Sequence, residues 1–330
     1  MFKETIDCID AGTEYCPCHL AESGECILCS QLQGSHFCDC LNWNGVCIYQ
    51  ELYNNGNKAK EQRKAYTCKV SEKVLCQDDV LLIKFEAPHK LAIDLAKPGS
   101  FIFIRSDENV YFDVPISILE SDIETNIISI MIEIRGVKTK QLLNIEKGGL
   151  ITIRGPYWNG VFGLKNIGKQ KDNDTLVIAR GIGMAPMIPV VQRLVQNGNK
   201  VTVILDKSPF KDIYIMEWLN KLNIVPQEMN LIEKGKLSPE AKVAIKSIVK
   251  YNNISLVHIA GADILTYNII EYLDSLERQD IDLSCCNNFK MCCGEGVCGA
   301  CTARFSGHRV KRFCKVQASP RAIFEGRRLI

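Results

Sequence analysis

The chain has 330 residues, of which 46% are hydrophobic and 24% are charged, and its formal net charge is +2. This length exceeds what a single hydrophobic core usually supports, so two or three domains are expected. The small net charge and the absence of any run of lysine and arginine give no indication of binding to nucleic acid or to a membrane surface.

The amino terminus leads directly into a cysteine-rich segment and not into the apolar segment of a secretory signal. A cytoplasmic location is therefore expected. The chain contains 17 cysteines. In a reducing compartment, cysteines at this density are expected to bind metal rather than to form disulfides.

Residues 1–50 form a predicted metal-binding module, followed by a polar helix or linker at residues 51–65. Apolar periodicity is nearly absent from the module, so bound metal must supply its stability. Its cysteines fall into two sets that each span 19 residues. Two four-cysteine sites are favoured, although Cys18, Cys26 and Cys29 are also able to share one site with a member of the second set. The predicted ligands are Cys8, Cys16, Cys18 and Cys26 in the first set, and Cys29, Cys38, Cys40 and Cys47 in the second. Iron–sulfur clusters and zinc both suit thiolate ligands, and the choice stays open with iron–sulfur preferred.

Residues 66–160 contain short strand-like runs at residues 81–85, 101–104, 127–134 and 150–153. Turn-forming residues separate these runs, for example at Pro98 and Gly99. Several short strands at this spacing predict a small antiparallel β-barrel.

Residues 161–282 alternate between strands and helices. Strands are predicted at residues 176–179, 201–205, 230–232 (a weak one) and 255–259, and helices at 185–196, 213–222, 239–249 and 264–276. This alternation predicts a parallel sheet covered by helices. The segment from Gly181 to Pro186 follows the first strand and opens a helix, where backbone N–H groups can meet a pyrophosphate. Taken alone, this segment is better explained by a simple tight turn from strand to helix. Asp206 ends the next strand, either as a partner for a ribose hydroxyl or as an exposed loop acid.

Residues 283–330 contain four cysteines in the spacing C-x4-C-x2-C followed by a distant cysteine: Cys293, Cys298, Cys301 and Cys314. This is the spacing of plant-type [2Fe-2S] sites. The intervening glycines allow the backbone to wrap closely around a cluster. Zinc sites usually have two C-x2-C pairs, whereas only one is present here, so a [2Fe-2S] cluster is favoured over zinc.

The order of these motifs resembles that of the ferredoxin-reductase superfamily. It is most similar to the electron-transfer subunits of NAD-dependent dihydroorotate dehydrogenase, and to the small subunits of sulfide dehydrogenase and of NADH-dependent ferredoxin:NADP oxidoreductase. The resemblance covers residues 66–315. It implies an FAD-binding barrel, an NAD(P)-binding α/β domain and a [2Fe-2S] domain that faces a partner dehydrogenase.

The resemblance also implies roles for individual residues. Pro115, Ser117, Ile134, Gly136, Thr139, Gly155 and Pro156 match flavin motifs, Gly181, Gly183, Ala185, Pro186 and Gly261 match nucleotide motifs, and Cys293, Cys298, Cys301 and Cys314 match the cluster ligands. Four features of the family pattern are missing. The arginine before Pro115 is absent, and Asp113 and Val114 stand in its place. Trp158 and Arg180 replace two glycines, and Ala262 replaces a proline. An acid at position 113 is expected to repel the flavin pyrophosphate.

The resulting hypothesis is an electron-transfer subunit that moves electrons between NAD(P)H, FAD and iron–sulfur clusters, to or from a partner dehydrogenase. No catalytic side chain is identified from the sequence. The alternative is a non-catalytic adaptor of the same fold that holds metal clusters but has lost flavin and nucleotide binding. Asp113, Trp158 and Arg180 are the residues that support this alternative.

Overall fold

The computed structural model describes residues 7–38, 45–77, 79–106, 113–304 and 310–324. These residues form two compact units. The larger unit comprises residues 66–288 and 319–324, and the smaller comprises the described residues up to 65 together with residues 289–304 and 310–318. The sequence divides the chain into five consecutive segments, with separate cysteine-rich modules at its two ends. In the structure, the described residues up to 65 belong to the same unit as residues 289–304 and 310–318 of the C-terminal module, whereas residues 283–288 and 319–324 of that module belong to the larger unit.

The strands of the described residues range from two to thirteen residues in length. In chain order they are β1 (Asp7–Cys8), β2 (Ala65–Gln77), β3 (Val80–Glu86), β4 (Phe101–Ser106), β5 (Val114–Asp122), β6 (Ile127–Glu133), β7 (Leu150–Tyr157), β8 (Val161–Phe162), β9 (Asp174–Arg180), β10 (Lys200–Asp206), β11 (Gln227–Glu228), β12 (Ile232–Glu233), β13 (Lys236–Leu237), β14 (Ile254–Ala260), β15 (Asp282–Cys286), β16 (Thr302–Arg304), β17 (Val310–Arg312) and β18 (Val316–Gln317).

The α-helices of the same residues are α1 (His19–Glu22), α2 (Ile48–Asn54), α3 (His89–Leu95), α4 (Val137–Gln141), α5 (Leu164–Lys169), α6 (Met184–Gln196), α7 (Met216–Lys221), α8 (Pro239–Tyr251) and α9 (Asp263–Ser275). Within the described ranges, no helix combines the length and the apolar character that crossing a membrane requires.

The first half of the larger unit is a closed antiparallel barrel with the strand order β2-β3-β6-β5-β4-β7. Alternate residues of each strand point inward, as the period of two dictates. Leu81, Ile83 and Phe85 of β3 are fully buried in this way, and so are Ile102 and Ile104 of β4. The predicted barrel is therefore confirmed. Strand β2 is not among the predicted strands, because charged residues on its exposed face interrupt the alternation of apolar and polar residues.

The second half of the larger unit is a six-stranded sheet with the order β11-β10-β9-β14-β15-β8. All neighbouring pairs are parallel except β15–β8. The helix α6 packs its apolar face, with Met187, Val190 and Val191, against this sheet. The predicted α/β domain is confirmed.

One predicted strand is wrong. Residues 230–232 do not join the main sheet, whose edge strand is β11 instead. Leu231 is buried, and its backbone N–H donates to the Asp206 carboxylate at 3.0 Å and not to a neighbouring strand. Leu231 is therefore apolar because it is buried, whereas Ile232 pairs with Leu237 in the separate two-stranded sheet of β12 and β13.

His258 of β14 is a fully buried titratable group in the sheet. Its Nδ1 lies 2.8 Å from Oγ of Ser284 on β15, and Nε2 has no hydrogen-bond partner among the described residues. Burial lowers the pKa of His258 from 6.5 to about 3. The ring is therefore neutral in the folded protein over the physiological pH range.

This burial predicts a loss of stability in mild acid. As the pH falls below 6.5, the unfolded chain takes up a proton at His258 that the folded protein, with a pKa of about 3, does not. At pH 5 the loss is about 2 kcal/mol. We expect His258→Asn, which keeps a partner for Ser284, to remove this component, and the exposed His89→Asn to retain it. Denaturant unfolding at pH 7 and pH 5 measures the difference. Equal pH dependence in the two variants would contradict the prediction.

Candidate functional site

A cavity of about 610 Å³ opens in the larger unit between the barrel and the sheet. Its sheet side consists of residues that follow β9, β10, β14 and β15, and its barrel side consists of residues of β5 and β6. In the sheet, β10 lies on one side of β9 and β14 lies on the other. The cavity thus lies at the carboxyl ends of the strands, at a point where strand order reverses, which is where open α/β sheets bind ligands. Its volume is in the range of cofactor and ligand sites.

Most of the predicted flavin and nucleotide residues line this one cavity. They are Pro115, Ser117, Thr139, Gly181, Gly183, Ala185, Pro186 and Gly261. The remaining four lie outside its lining: Ile134 packs against the barrel core, Gly136 precedes α4, and Gly155 and Pro156 belong to β7. The structure therefore brings together residues that are about 150 positions apart in the sequence.

The turn from β9 to α6 passes very close to the end of β14. A Cβ added to Gly183 would lie 2.4 Å from the carbonyl oxygen of Ala260 and 2.6 Å from the backbone nitrogen of Gly261. No side chain fits in that space without moving the backbone of β14. Residues 181–183 form a 3-10 turn that continues into α6, so the positive end of the α6 dipole faces the cavity.

Arg180 places a cation at the cavity and is held there by Asp206. The Asp206 carboxylate accepts hydrogen bonds from Nε of Arg180 at 2.9 Å, and from the backbone N–H groups of Ser208 and Leu231 at 2.9 and 3.0 Å. Asp206 is only 2% exposed and does not line the cavity. It is therefore neither an exposed loop acid nor a ribose ligand in this arrangement, but a support for Arg180.

The barrel side of the cavity has its own positioned polar groups. Oγ1 of Thr139 accepts hydrogen bonds from the backbone N–H groups of Arg135 at 3.0 Å and Gly136 at 3.1 Å, which shapes the turn before α4. Nε of Arg135 donates to Glu133 at 2.6 Å. Thr139, Arg135 and Glu133 line the cavity, so the cavity contains both acidic and basic groups.

Two of the departures from the family pattern have structural roles away from the cavity. Asp113 pairs with Arg154, whose Nη2 lies 3.1 Å from its carboxylate, and Arg105 lies 3.9 Å from it. The acid is thus balanced by two guanidinium groups, and the expected repulsion of a pyrophosphate loses its physical basis. Trp158 is 7% exposed, and its Nε1 donates to the carbonyl of Asp94 at 2.9 Å.

The four C-terminal cysteines form a second candidate site, in the smaller unit. Backbone N–H groups point at the sulfurs: those of Glu295 and Cys298 lie 3.3 and 3.5 Å from Sγ of Cys293, and that of Cys314 lies 3.3 Å from Sγ of Cys301. The Cys314 thiol also donates to Cys293 and Cys301. These hydrogen bonds lower the pKa of Cys293 and Cys301 below that of an ordinary thiol and raise the pKa of Cys314.

The residues present fit a [2Fe-2S] cluster, which takes four thiolates, two on each iron. Gly294, Gly296 and Gly299 have φ angles of 72°, 78° and 73°, which is the left-handed backbone that lets the loop turn its N–H groups inward.

The first N-terminal set of cysteines is also brought together. Cys8, Cys16, Cys18 and Cys26 line one small enclosed cavity of the smaller unit, and Sγ of Cys26 accepts the N–H of Cys29 at 3.4 Å. Of the second set, Cys29 and Cys47 are partly buried, Cys38 is exposed, and Cys40 lies outside the described residues. The predicted first set is thus a spatial group in the structure.

Sequence reasoning misses several residues that line the large cavity. Cys286 ends β15, which is not among the predicted strands, and Asn287 and Asn288 follow it. The side-chain nitrogen of Asn288 donates to the carbonyl of Gly261 at 2.7 Å and to Asp263 at 3.0 Å, and so connects the ends of β14 and β15. Recognition of residues 282–286 as a fifth parallel strand would have placed these residues at the ligand-binding edge.

Known proteins with related sequences include electron-transfer proteins. The chain is 24% identical over 204 residues to a probable dihydroorotate dehydrogenase B (NAD(+)) electron transfer subunit of Archaeoglobus fulgidus, covering 62% of this chain and 78% of that protein. It is 24% identical over 234 residues to the corresponding Streptococcus pneumoniae subunit, covering 70% and 88%. It is 30% identical over 255 residues to an uncharacterized protein in the adh 3' region of Clostridium beijerinckii, covering 74% and 81%.

Solved structures share the fold. The NADH-dependent reduced ferredoxin-NADP oxidoreductase structure matches with a TM-score of 0.61 at 20% identity, covering 77% of this chain and 86% of that one. The ferredoxin reductase of carbazole 1,9a-dioxygenase matches with a TM-score of 0.52 at 13% identity, covering 69% and 70%. No protein-family model matches the chain. From the barrel, the parallel sheet and these comparisons together, the chain has the fold of the ferredoxin reductases and is similar in sequence to the electron-transfer subunits of dihydroorotate dehydrogenase B.

Proposed function

We propose that this chain is the electron-transfer subunit of a multi-subunit oxidoreductase that uses NAD(P)H, FAD and iron–sulfur clusters. The observation that carries the proposal is the cavity of about 610 Å³ that unites the barrel residues with the glycine-rich turn of the sheet. Relatives named as electron transfer subunits support it.

In this proposal, the barrel side of the cavity binds the flavin and the sheet side binds the dinucleotide. On the barrel side, Ser117 and the turn held by Thr139 supply polar groups for the flavin. On the sheet side, the N–H groups of residues 181–186 and the guanidinium of Arg180 face the dinucleotide, where they stabilise pyrophosphate charge. FAD, when bound, takes up an electron pair from a nicotinamide and releases electrons singly.

The proposed exit for single electrons is a [2Fe-2S] cluster held by Cys293, Cys298, Cys301 and Cys314. The loop between the first two ligands contains Val297, whose side chain is 61% exposed. Relatives named as electron transfer subunits support a partner dehydrogenase subunit as the recipient of these electrons. Additional clusters, or zinc, are proposed for the N-terminal cysteines, with Cys8, Cys16, Cys18 and Cys26 as the first ligand set.

The adaptor alternative has lost its main support. Asp113 is neutralised by arginines, Trp158 fills a buried position away from the cavity, and Arg180 adds a cation to the cavity instead of closing it. None of these three residues removes the space or the polar groups that a flavin and a nucleotide need.

Reduction of bound flavin by NAD(P)H tests the proposal. Protein purified without oxygen and supplied with FAD is expected to retain flavin and to lose its flavin absorbance on addition of NADH or NADPH. Arg180→Gln removes a charge-assisted contact with the pyrophosphate, so we expect a weakening of nucleotide affinity by about tenfold or more. The control is Arg193→Gln, an exposed residue of α6, which should behave as the original protein. Protein that holds clusters but neither retains flavin nor responds to either nucleotide would favour the adaptor.

A further inference from the structure

Four buried charged side chains form a closed network in the smaller unit. Nη2 of Arg63 lies 2.6 Å from Asp10, and Nη1 of Arg63 lies 3.1 Å from Glu295. Nζ of Lys315 contacts Glu295 at 2.8 Å and is also paired with Asp10. The side chains of Arg63, Asp10 and Lys315 are at most 2% exposed, and that of Glu295 is 11% exposed. Two cations and two anions balance each other in this network.

Each member except Arg63 is close in sequence to a cysteine of a proposed cluster site. Asp10 follows Cys8 by two residues, Glu295 follows Cys293 by two, and Lys315 directly follows Cys314. The network therefore includes residues from both cysteine-rich ends of the chain.

The backbone fixes the two ends together at the same place. Strand β1 pairs antiparallel with β18, so that Cys8 lies opposite Val316, and the N–H of Ile9 donates to the carbonyl of Lys315 at 2.9 Å. On the cluster loop, a Cβ on Gly296 would lie 2.8 Å from Cδ1 of Leu20. The N-terminal and C-terminal cysteine segments are thus packed and hydrogen-bonded directly to each other.

Lys315 is a permanent charge that both cysteine sets experience. Its ammonium is fully buried and is paired with Asp10 and Glu295. Asp10 lines the same cavity as Cys8, and Lys315 directly follows Cys314 while its carbonyl accepts the N–H of Ile9, the residue after Cys8. The buried network therefore lies close to both cysteine sets.

A cluster gains one negative charge when it is reduced, and nearby charge is one of the factors that set its potential. The effect of a charge is large where water is excluded and small where solvent screens it. A change in the net charge of this buried network should therefore alter the stability of the reduced form of both clusters, a positive excess favouring reduction and a negative excess opposing it.

We propose that Lys315 and Asp10 couple the two cysteine sites, so that the reduction potentials of an N-terminal and a C-terminal cluster shift together with the charge of this network. The inference rests on the proposed function in one respect, namely that both cysteine sets hold iron–sulfur clusters. It assigns Lys315 and Asp10 as positioning residues that act through electrostatics and not as ligands.

The test is a potentiometric titration of the full-length holoprotein in which each cluster is followed by its electron paramagnetic resonance signal. Lys315→Met leaves the network one unit more negative and is expected to lower both potentials. Asp10→Asn leaves it one unit more positive and is expected to raise both. We expect at least a tenfold change in each reduction equilibrium, which is about 59 mV for a one-electron step. A merely structural defect would not shift the potentials in opposite directions in the two variants.

Three further variants complete the design. Lys290→Met removes a charge three residues from Cys293 at an exposed position, where screening should limit the change to less than threefold. Lys315→Arg keeps the charge and should keep both potentials. The double variant Asp10→Asn with Lys315→Met restores neutrality, so it should load both clusters at close to the original potentials even if Lys315→Met alone fails to fold.

The outcomes separate this inference from the proposed function. If iron and sulfide analysis finds two kinds of cluster, but Asp10→Asn leaves the N-terminal potential where it was or moves only one centre, or the double variant keeps the shifted potentials of Asp10→Asn, the coupling is refuted and the clusters stand. If analysis finds iron only at the C-terminal site, or zinc at the N-terminal one, the cluster assignment itself fails and the coupling fails with it. Joint shifts of opposite sign in the two single variants support the inference.

Discussion

Replacement of Cys301 by alanine is expected to abolish the C-terminal [2Fe-2S] signal completely. Cys301 is 2% exposed, and its sulfur accepts the backbone N–H of Cys314 at 3.3 Å and a further hydrogen bond from the Cys314 thiol. Loss of this thiolate leaves one iron with an incomplete ligand set. Absorbance, paramagnetic resonance and iron content measure the result, with about two iron atoms lost per chain.

The matched control is Cys292→Ala. Cys292 is adjacent to Cys293 in the same loop but is exposed and outside the C-x4-C-x2-C spacing. We expect this variant to keep the full cluster signal. Cys298→Ala should behave as Cys301→Ala does. Intact [2Fe-2S] signals in both Cys298→Ala and Cys301→Ala would overturn the assignment of these residues as ligands.

A single methyl group at Gly183 is expected to weaken NAD(P)H binding by more than tenfold. The added Cβ would overlap the Ala260 carbonyl oxygen at 2.4 Å, so the turn after β9 and the end of β14 would have to separate. Both segments line the cavity, and their separation would move the N–H groups that we propose for the dinucleotide. The dependence of flavin reduction on NAD(P)H concentration in Gly183→Ala measures this effect.

The control for that variant is Gly168→Ala. Gly168 lies in α5 and has no atom within 4 Å of an added Cβ, so the same chemical change meets open space. Alanine also favours a helix relative to glycine, and stability should not fall. Retention of flavin and clusters in Gly183→Ala would show that the loss is local. Identical nucleotide dependence in the two variants would contradict the role given to the β9–α6 turn.

The sequence is informative where a residue type has few alternative uses. The strands at residues 81–85 and 176–179 are recognisable because a buried strand requires alternating or continuous apolar residues. The turn from Gly181 to Pro186 is recognisable because a close backbone approach excludes side chains. Strand β2 is hidden by charged residues on an exposed barrel face, and β15 by its short, cysteine-containing sequence.

Charged residues are where sequence reasoning fails. The sequence predicts that Asp113 repels the flavin pyrophosphate, but in the structure Arg154 and Arg105 balance its charge. The sequence predicts an exposed loop acid or a ribose partner at Asp206, but in the structure Asp206 is buried and bonded to Arg180. The effect of a charge depends on its partners and on exposure to solvent, and both are set by residues far away in the chain.

By itself, the sequence determined the kinds of element and the chemistry that the chain carries. Strand and helix periodicity, glycine turns and cysteine spacing are local properties, and local sterics and ligand preferences are sufficient to interpret them. Only the tertiary structure decided which of these parts meet. It placed barrel residue Ser117 in one cavity with Gly183, and it joined Asp10 to Lys315, 305 positions apart, in one buried network. Such long-range pairings arise from the packing of whole elements and from the desolvation of charges, and no local pattern specifies them.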